Sequence, residues 1–486
     1  GEQSKKVYQY VSGWIRNNKQ LREFTSKNIQ LPPTIKTYAS SGCIFTAVSA
    51  TSTRGPHCFS NDTEILTDNG WKYFKDITYE DEVATLNPIT KYLEYQKPTN
   101  IIYYKHTGNM THITNNYVDL LVTPNHRFYL KTQWKNWHIF QLTPSNKNFP
   151  KRYWMKRNFE NWSGKKQEYF ILPSYKSKNH KIDNELTISM DVWLEFLGYY
   201  LTEGCIDNNK IKISQSLKIN PEKYLKIENS IKKIGINYKS YDTYFIIYSA
   251  QLAKYLSSMG NYAWEKFIPK EFKSLSTPQL RVLLNALIVG DGHIVKDTPN
   301  SIAYCSSSKK LTDDVSELGL KCGYSVTFSD APCSTKFFPK NNKEYEIKPT
   351  FRLYLNSTKH EIRFSKVLKN HKESINNYDD YVGCVTVPNE IIFVRRNGKT
   401  ILSGNCKDVI IDEEAAGEAA GKTEYIKAAL WQGSTSEDLR IFKSSTPHLA
   451  HGDFLETWNE YQKLGYKRYN WSIAKHISGK TDPYKI

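Results

Sequence analysis

Short runs of alternating apolar and polar residues, broken by turn residues, fill the stretch from about 58 to 150: EILT, a DNG turn at Asp68–Gly70, then WKYF, EVATL, TNIIYY, MTHIT and HRFYL. This period-two texture predicts an all-β block. From 186 to 370 amphipathic helical runs mix with alternating Tyr/Ile strands such as TYFIIYSA and TFRLYLNS, which predicts an α+β block. A further β-rich stretch, VGCVTVPNEIIFVRRNGKTILSGN at 382–405, is more like the first block than its neighbours, with Asn397–Gly398 as a tight hairpin turn. The ends, 1–57 and 407–486, share a third style, including an apolar strand KDVIID followed by an Ala/Glu-rich helical stretch. The order of textures is that of nested insertions.

The α+β block contains an internal repeat. FLGYYLTEG at 196–204 and LLNALIVGDG at 283–292 are each an apolar helical run ending in an acid followed by Gly. In the second copy Thr277 is the expected N-cap and Pro278 the first helical residue, so the helix runs into its acid at the C-terminal end. Gly198 and Ala286 fall at equivalent positions, where small side chains let two helices touch. Two copies predict a pseudo-symmetric domain.

Composition sharpens this picture. At 486 residues and 56.5 kDa the chain is long for one domain and predicts about three. With 39% hydrophobic and 24% charged residues it can bury real cores. There is no apolar run long enough to span a membrane, and GEQSKKVYQY lacks the pattern of a secretion signal, which predicts a cytoplasmic chain without a membrane partner. The 67 Lys and Arg against 49 acids, a formal +18, favour a polyanionic partner. The cysteines, at 43, 58, 205, 305, 322, 333, 384 and 406, form no C-x-x-C pair and no dense disulfide framework, so a functional cysteine would act as a reduced nucleophile.

Cys58 opens CFSNDTEILT, Thr123-Pro124-Asn125-His126 sits in LLVTPNHRFYL, and TVPN and RRNGK precede a closing SGN at Asn405 followed by Cys406. In this order the residues resemble the inteins, self-splicing protein inserts. The resemblance implies that Cys58 takes the preceding acyl group from its nitrogen onto its sulfur, because a peptide bond is a poor electrophile and a thioester a better one. Thr123 and His126 would sit over the His57–Cys58 bond, His126 protonating the departing amine and Thr123 or nearby backbone holding the oxyanion. Cys406 would then attack the thioester, and Asn405 would cyclise through its side-chain amide in a five-membered ring. An S-to-N shift would leave a His57–Cys406 peptide bond. Two positions depart from the family pattern: Gly404 and Glu390 stand where many inteins carry His. Cys384, where many inteins carry Asp, is a candidate proton relay, the alternative being a buried strand Cys.

The repeat resembles the LAGLIDADG homing endonucleases, which commonly sit inside inteins. That likeness implies cleavage of double-stranded DNA at the host gene lacking the insert, with Mg²⁺ held by Glu203 and Asp291, one carboxylate from each helix end. WEKFIP at 264–269 resembles the family's lysine-containing segment, making Lys266 a candidate to polarise phosphate or activate water, against a solvated surface lysine. Strands such as KIKISQS and SIAYCSSS would form a DNA-reading saddle.

The joined flanks, through VIIDEE and KSSTPH, resemble the large terminase subunit, a phage DNA-packaging ATPase. Asp412 would hold Mg²⁺ and Glu413 would activate water. AGEAAGKT at 416–423 fits the loose phosphate-loop pattern but reads as a helix after the strand, so the ATPase site is incomplete.

The expected fold is multidomain: an all-β Hint-type splicing domain assembled from 58–150 and 371–405, a connecting region at 151–185, and an inserted pseudo-symmetric α+β LAGLIDADG endonuclease at 186–370. Flanking α/β terminase ATPase fragments would occupy 1–57 and 406–486. The expected activity is autocatalytic splicing plus site-specific DNA hydrolysis by a monomer. The rival readings are an ATPase fragment with a DNA-binding insert that neither splices nor cuts, and a non-catalytic DNA-binding adaptor. The adaptor explains the charge but none of Cys58, His126, Asn405 and Cys406.

Overall fold

A computed structural model describes residues 47–49, 57–124, 126–132, 140–144, 149–159, 161–176, 182–296, 298–331, 334–338, 343–347, 349–365, 373–405, 410–412 and 443–444. The chain is mostly β-sheet, in several sheets with few helices among the described residues. It divides into two units, one of residues His57–Cys406 and one that joins Gly1–Pro56 to Lys407–Ile486. In the second, Ile410–Asp412 runs parallel to Ala47–Ser49 on one side and to Lys443–Ser444 on the other. The last three residues of the KDVIID run, Ile410–Asp412, are thus a central strand. Glu413, Cys406 and AGEAAGKT lie outside the described residues.

In the His57–Cys406 unit, Phe59–Ser60, Glu373–Thr386, Asn100–Thr114 and Asp119–Val122 close a barrel. TNIIYY and MTHIT, separate in the sequence pattern, form one 15-residue strand, Asn100–Thr114. The break was read from the polar run between them, but Glu373–Thr386 pairs along nearly the whole length, from Glu373 opposite His112 to Thr386 opposite Asn100. Its backbone groups satisfy those of the polar run.

The hairpin Ile391–Arg396/Lys399–Gly404 turns at Asn397 and Gly398, whose φ angles of 46° and 72° are those of a two-residue I′ turn. The expected turn is therefore present. A side chain at Gly398 would strike the Phe328 carbonyl, and the Phe328 N–H donates to the Gly398 carbonyl at 2.8 Å. This tip carries the sheet onward: Thr327 pairs with Lys399, so one eleven-stranded sheet runs from the hairpin into the strands of the α+β block. Arg395, fully buried beside the turn, donates to both Glu64 oxygens (2.6 and 2.8 Å) and to Asp313 (2.6 Å) on the helix Lys309–Lys321. A second seam joins Glu361–Ser365 to Arg152–Lys156, which pairs in turn with Arg127–Thr132.

The repeat is a duplicated topology. The helix Met190–Glu203 is followed by Gly204–Asp207, Lys210–Ser214, the helix Pro221–Ile234, Tyr238–Tyr241 and Tyr244–Ile247. The helix Thr277–Asp291 is followed by Gly292–Ile294, Ser301–Ser306, the helix Lys309–Lys321, Ser325–Ala331 and, after a hairpin, Thr350–Asn356. In both sheets the strands lie in the order first, second, fourth, third. Each leading helix ends at its acid, Glu203 or Asp291, because the following Gly turns out into a strand. The N-cap of the second is Ser276, one residue before the expected Thr277.

The two leading helices pack face to face, and a Cβ built on Gly198 would lie 2.5 Å from the Ala286 Cβ. Neither helix carries a strongly polar face in this contact, so it is held by close packing, which small residues permit. Gly198→Ala is expected to destabilise the unit by about 1–3 kcal/mol through overpacking, and Gly198→Ala/Ala286→Gly to recover most of that loss. Chemical denaturation of the three proteins tests this; a single variant as stable as the parent would show that the helices do not depend on this contact.

Candidate active sites

Cys58 is fully buried just before Phe59–Ser60, and its backbone N–H donates to Thr123 Oγ1 at 3.0 Å. The Thr123 N–H in turn donates to the Cys58 carbonyl at 2.9 Å. The Phe59–Val122 pairing fixes this contact, bringing together residues 65 positions apart. His126 is fully buried between Phe59 and Phe128, edge-on to both rings, at centroid distances of 4.5 and 5.1 Å. Its Nε2 lies 2.8 Å from Ser403 Oγ. Burial holds this imidazole well below its ordinary range, and the charges of His57 and Arg127 add to that, against the His57 backbone, which favours the charged ring. Burial thus favours the neutral form of His126, which packs on Phe59, the residue after Cys58, and a neutral imidazole can accept a proton and pass it on.

Arg127, the next residue, faces the other junction. Its Nη2 donates to the Asn405 carbonyl oxygen at 2.9 Å and to Asn405 Oδ1 at 3.2 Å, while Nη1 donates to Glu390 Oε2 at 2.8 Å. Asn405 is fully buried; its Nδ2 donates to the Val387 carbonyl and its backbone N–H to the Glu390 carbonyl, both at 3.0 Å. Glu390 takes a positive φ of 59°, which folds the turn after Val387 back toward Asn405. Gly404 has no room for a side chain: a Cβ there would lie 2.5 Å from the Arg127 carbonyl oxygen.

Cys384 is buried on Glu373–Thr386, next to Gly383, the partner of Phe59, and in the same apolar cluster as Cys58. Its thiol reaches the Val385 carbonyl at 3.4 Å.

At the far site, the C-terminal ends of the two leading helices meet. A Cβ on Gly290 would strike Thr202, so the flanking acids Glu203 and Asp291 are neighbours. Burial and then the Glu203 charge push the Asp291 carboxyl up to about 7, against the pull of Lys223 and Lys266. Lys223 pairs with Glu203 and donates to the Gly290 carbonyl at 2.7 Å, so its ammonium bridges the two helix ends. Two carboxylates, a carbonyl and two negative dipole ends make this a locus for cations.

Lys266 is neither on the surface nor turned toward a solvent-borne substrate. It is buried, and its ammonium donates to the carbonyls of Tyr200 (2.8 Å), Leu201 (3.1 Å) and Gly204 (2.6 Å), clamping the end of the helix that carries Glu203. All three of its protons are used. Burial lowers its pKa to about 8, with Asp291, Cys205 and Glu203 pulling upward.

Of the expected residues, the fold gathers Cys58, Thr123 and His126 at one junction, puts Asn405 beside them through the His126–Ser403 and Arg127–Asn405 contacts, and sets Glu203 against Asp291. Arg127, Ser403 and Lys223 escaped the sequence reading, and Glu390 entered it only as a departure from the intein pattern, with no role. For Arg127 the available signal was its place directly after His126.

No protein-family model matches the chain. Among curated proteins it is 30% identical over 406 residues to the DNA-directed RNA polymerase subunit beta C-terminal section of Stigeoclonium helveticum, covering 72% of this chain and 36% of that protein. It is 30% identical to the ATP-dependent Clp protease proteolytic subunit of Chlamydomonas moewusii, covering 56% of this chain and 28% of that one. It is 23% identical to the ATP-dependent DNA helicase Hel308 of Methanocaldococcus jannaschii, covering 61% and 23%. The chain thus spans little more than a third of the first relative and less of the other two. A solved structure of a splice-inactive AceL NrdHF class 3 split intein is 14% identical, covering 40% of this chain and 97% of that one at a TM-score of 0.17; a likeness at that score carries no argument.

The Asp291 shift has a measurable sign. Its folded-state pKa, raised from 3.8 to about 7, makes the folded chain hold more protons than the unfolded one across that window, so stability falls as pH rises through it. Without divalent metal, Asp291→Asn is expected to stabilise the chain by roughly 3 kcal/mol more at pH 8 than at pH 5. Denaturation at the two pH values checks this, and an equal effect at both would contradict it.

Proposed function

We propose that residues 58–405 are an intein that excises itself and ligates its flanks, and that it carries an embedded homing endonuclease of LAGLIDADG type. One observation carries the splicing reading: Thr123 and Arg127, four residues apart, hydrogen-bond the two ends of the His57–Cys406 unit, Thr123 on the Cys58 amide and Arg127 on Asn405. A structural role alone gives no reason for polar, buried side chains to meet at both junctions.

The geometry supports a sequence of acyl transfers. The Cys58 sulfur attacks the His57 carbonyl carbon, and the C–N bond to Cys58 breaks as its nitrogen gains a proton. In this reading His126 takes the thiol proton and delivers it to that nitrogen, and the acceptance of the Cys58 N–H by Thr123 Oγ1, which orients the peptide, supports it. Cys406 then attacks the thioester, and Asn405 cyclisation frees the insert. The relatives support the same reading. They are a polymerase subunit, a protease subunit and a helicase, jobs with nothing in common, and the 72% share matched in the first is the size of the His57–Cys406 unit. An insert that removes itself can reside in hosts of any function.

The duplicated topology, the helix pair packed at Gly198 and Ala286, and the adjacent Glu203 and Asp291 support the nuclease. Their all-oxygen donor set fits a hard divalent cation such as Mg²⁺, which when bound would stabilise charge developing on the scissile phosphates of double-stranded DNA. Glu203 and Asp291 would hold it, with Lys223 giving up its bridge. Lys212, set 4.6 Å over the Tyr244 ring on the strands beyond Glu203, would contact phosphate in this reading. The flanks are proposed as a terminase-type ATPase fragment on the VIIDEE and KSSTPH runs, and the whole as a cytoplasmic monomer.

Cys58→Ala is expected to abolish ligation in mass spectra of the purified chain; ligated flanks from that variant would rule out the thioester route. Glu203→Gln and Asp291→Asn are each expected to abolish cutting of a duplex that joins the codons for His57 and Cys406, while binding stays and weakens steeply with salt. Cutting retained by the double variant would mean that the acids are only structural.

A further inference from the structure

We infer that Arg127 is a catalytic residue for Asn405 cyclisation and that Glu390 is its positioning residue, an assignment that rests on the splicing reading above. In that step the Asn405 Nδ2 forms a bond to the Asn405 carbonyl carbon, and the C=O π pair moves onto the oxygen. Collapse then breaks the bond to the Cys406 nitrogen. Nδ2 loses one proton, the departing amine gains one, and Asn405 is left as a succinimide. The barrier lies in placing negative charge on the carbonyl oxygen and in making a weakly nucleophilic amide attack.

Arg127 addresses both. Its Nη2 sits 2.9 Å from the oxygen that becomes the oxyanion, at hydrogen-bond distance before the reaction begins. The same nitrogen lies 3.2 Å from Oδ1, where it draws electron density from the side-chain amide and favours loss of an Nδ2 proton. The Val387 carbonyl holds Nδ2 at 3.0 Å, so both ends of the amide are oriented. Guanidinium suits the task, since its planar fork reaches Asn405 with one nitrogen while the other is tied to Glu390 at 2.8 Å. It supplies charge, not a proton.

Gly404 completes the arrangement. With the Arg127 carbonyl 2.5 Å from where a Cβ would stand, no side chain fits between Arg127 and the strand that delivers Asn405. The positive φ of Glu390 serves the same end, because the Glu390 carbonyl accepts from the Asn405 N–H while its carboxylate holds the guanidinium.

The test follows two bonds in the full chain. Dithiothreitol cleavage at His57–Cys58 reports thioester formation, and release of residues 406–486 with a succinimide mass on Asn405 reports cyclisation. Arg127→Gln is expected to slow release by about 100-fold, the loss typical of one oxyanion donor, with thioester cleavage changed far less, through the adjacent His126 whose imidazole the Arg127 charge also influences. Arg127→Lys, which keeps the charge but not the fork, should fall between, and Glu390→Gln should slow release alone, with Glu390→Asp restoring part of it. Release at the native rate in Arg127→Gln overturns the assignment, as does equal slowing of both bonds in the Arg127 and Glu390 variants, the mark of a merely structural pair. Absence of cleavage at either junction in the native chain overturns the splicing reading itself.

Discussion

One turn of backbone, from Thr123 to Arg127, ties together two chain ends that are nearly the whole unit apart in sequence. Thr123 holds the Cys58 amide, His126 packs on Phe59 and meets Ser403, and Arg127 grips Asn405. The barrel makes this possible, because Phe59 pairs with both Val122 and Gly383 and so brings the start of the unit to the strand that leads into the turn at Val387–Glu390. Thr123, His126, Arg127 and Asn405 each make at least one hydrogen bond here, so removing one of them would strand a buried polar partner.

The second site depends on a different constraint, close helix packing. Gly198 against Ala286 and Gly290 against Thr202 bring two negative helix ends and two acids together, a repulsive arrangement that the fold offsets with Lys223 across the gap and Lys266 beneath it. The raised pKa of Asp291 records its burial first and then the repulsion from Glu203 that is left over. The sites are joined by a continuous sheet: Thr327 meets Lys399, and Arg395 anchors the hairpin to the helix Lys309–Lys321.

The residues legible in the sequence were those whose chemistry is rare and whose order is ordered along the chain: Cys58, Thr123, His126 and Asn405, and the acid-Gly endings of the repeat. The turn at Asn397–Gly398 was legible because its backbone demands those residues. Arg127 and Ser403 were hidden, and Glu390 was visible only as a departure from the intein pattern, since an arginine or a glutamate is ordinary on a surface and gains meaning only from contacts with partners more than 260 positions away. Lys266 was visible as a residue but not in its role, because a local pattern cannot tell a lysine facing substrate from one clamping a helix end. The seams were hidden for the same reason. Glu361–Ser365 looks like any strand of the α+β block until it pairs with Arg152–Lys156.

The claim that both ends of the 57–406 unit form one reacting centre is tested most directly by following the intact mass of the native chain with time after purification. The account predicts that the full-length species gives way to two products, residues 58–405 with a C-terminal succinimide or asparagine and residues 1–57 joined to 406–486 by a peptide bond. A chain that keeps its full mass, or that breaks without joining its flanks, would contradict it.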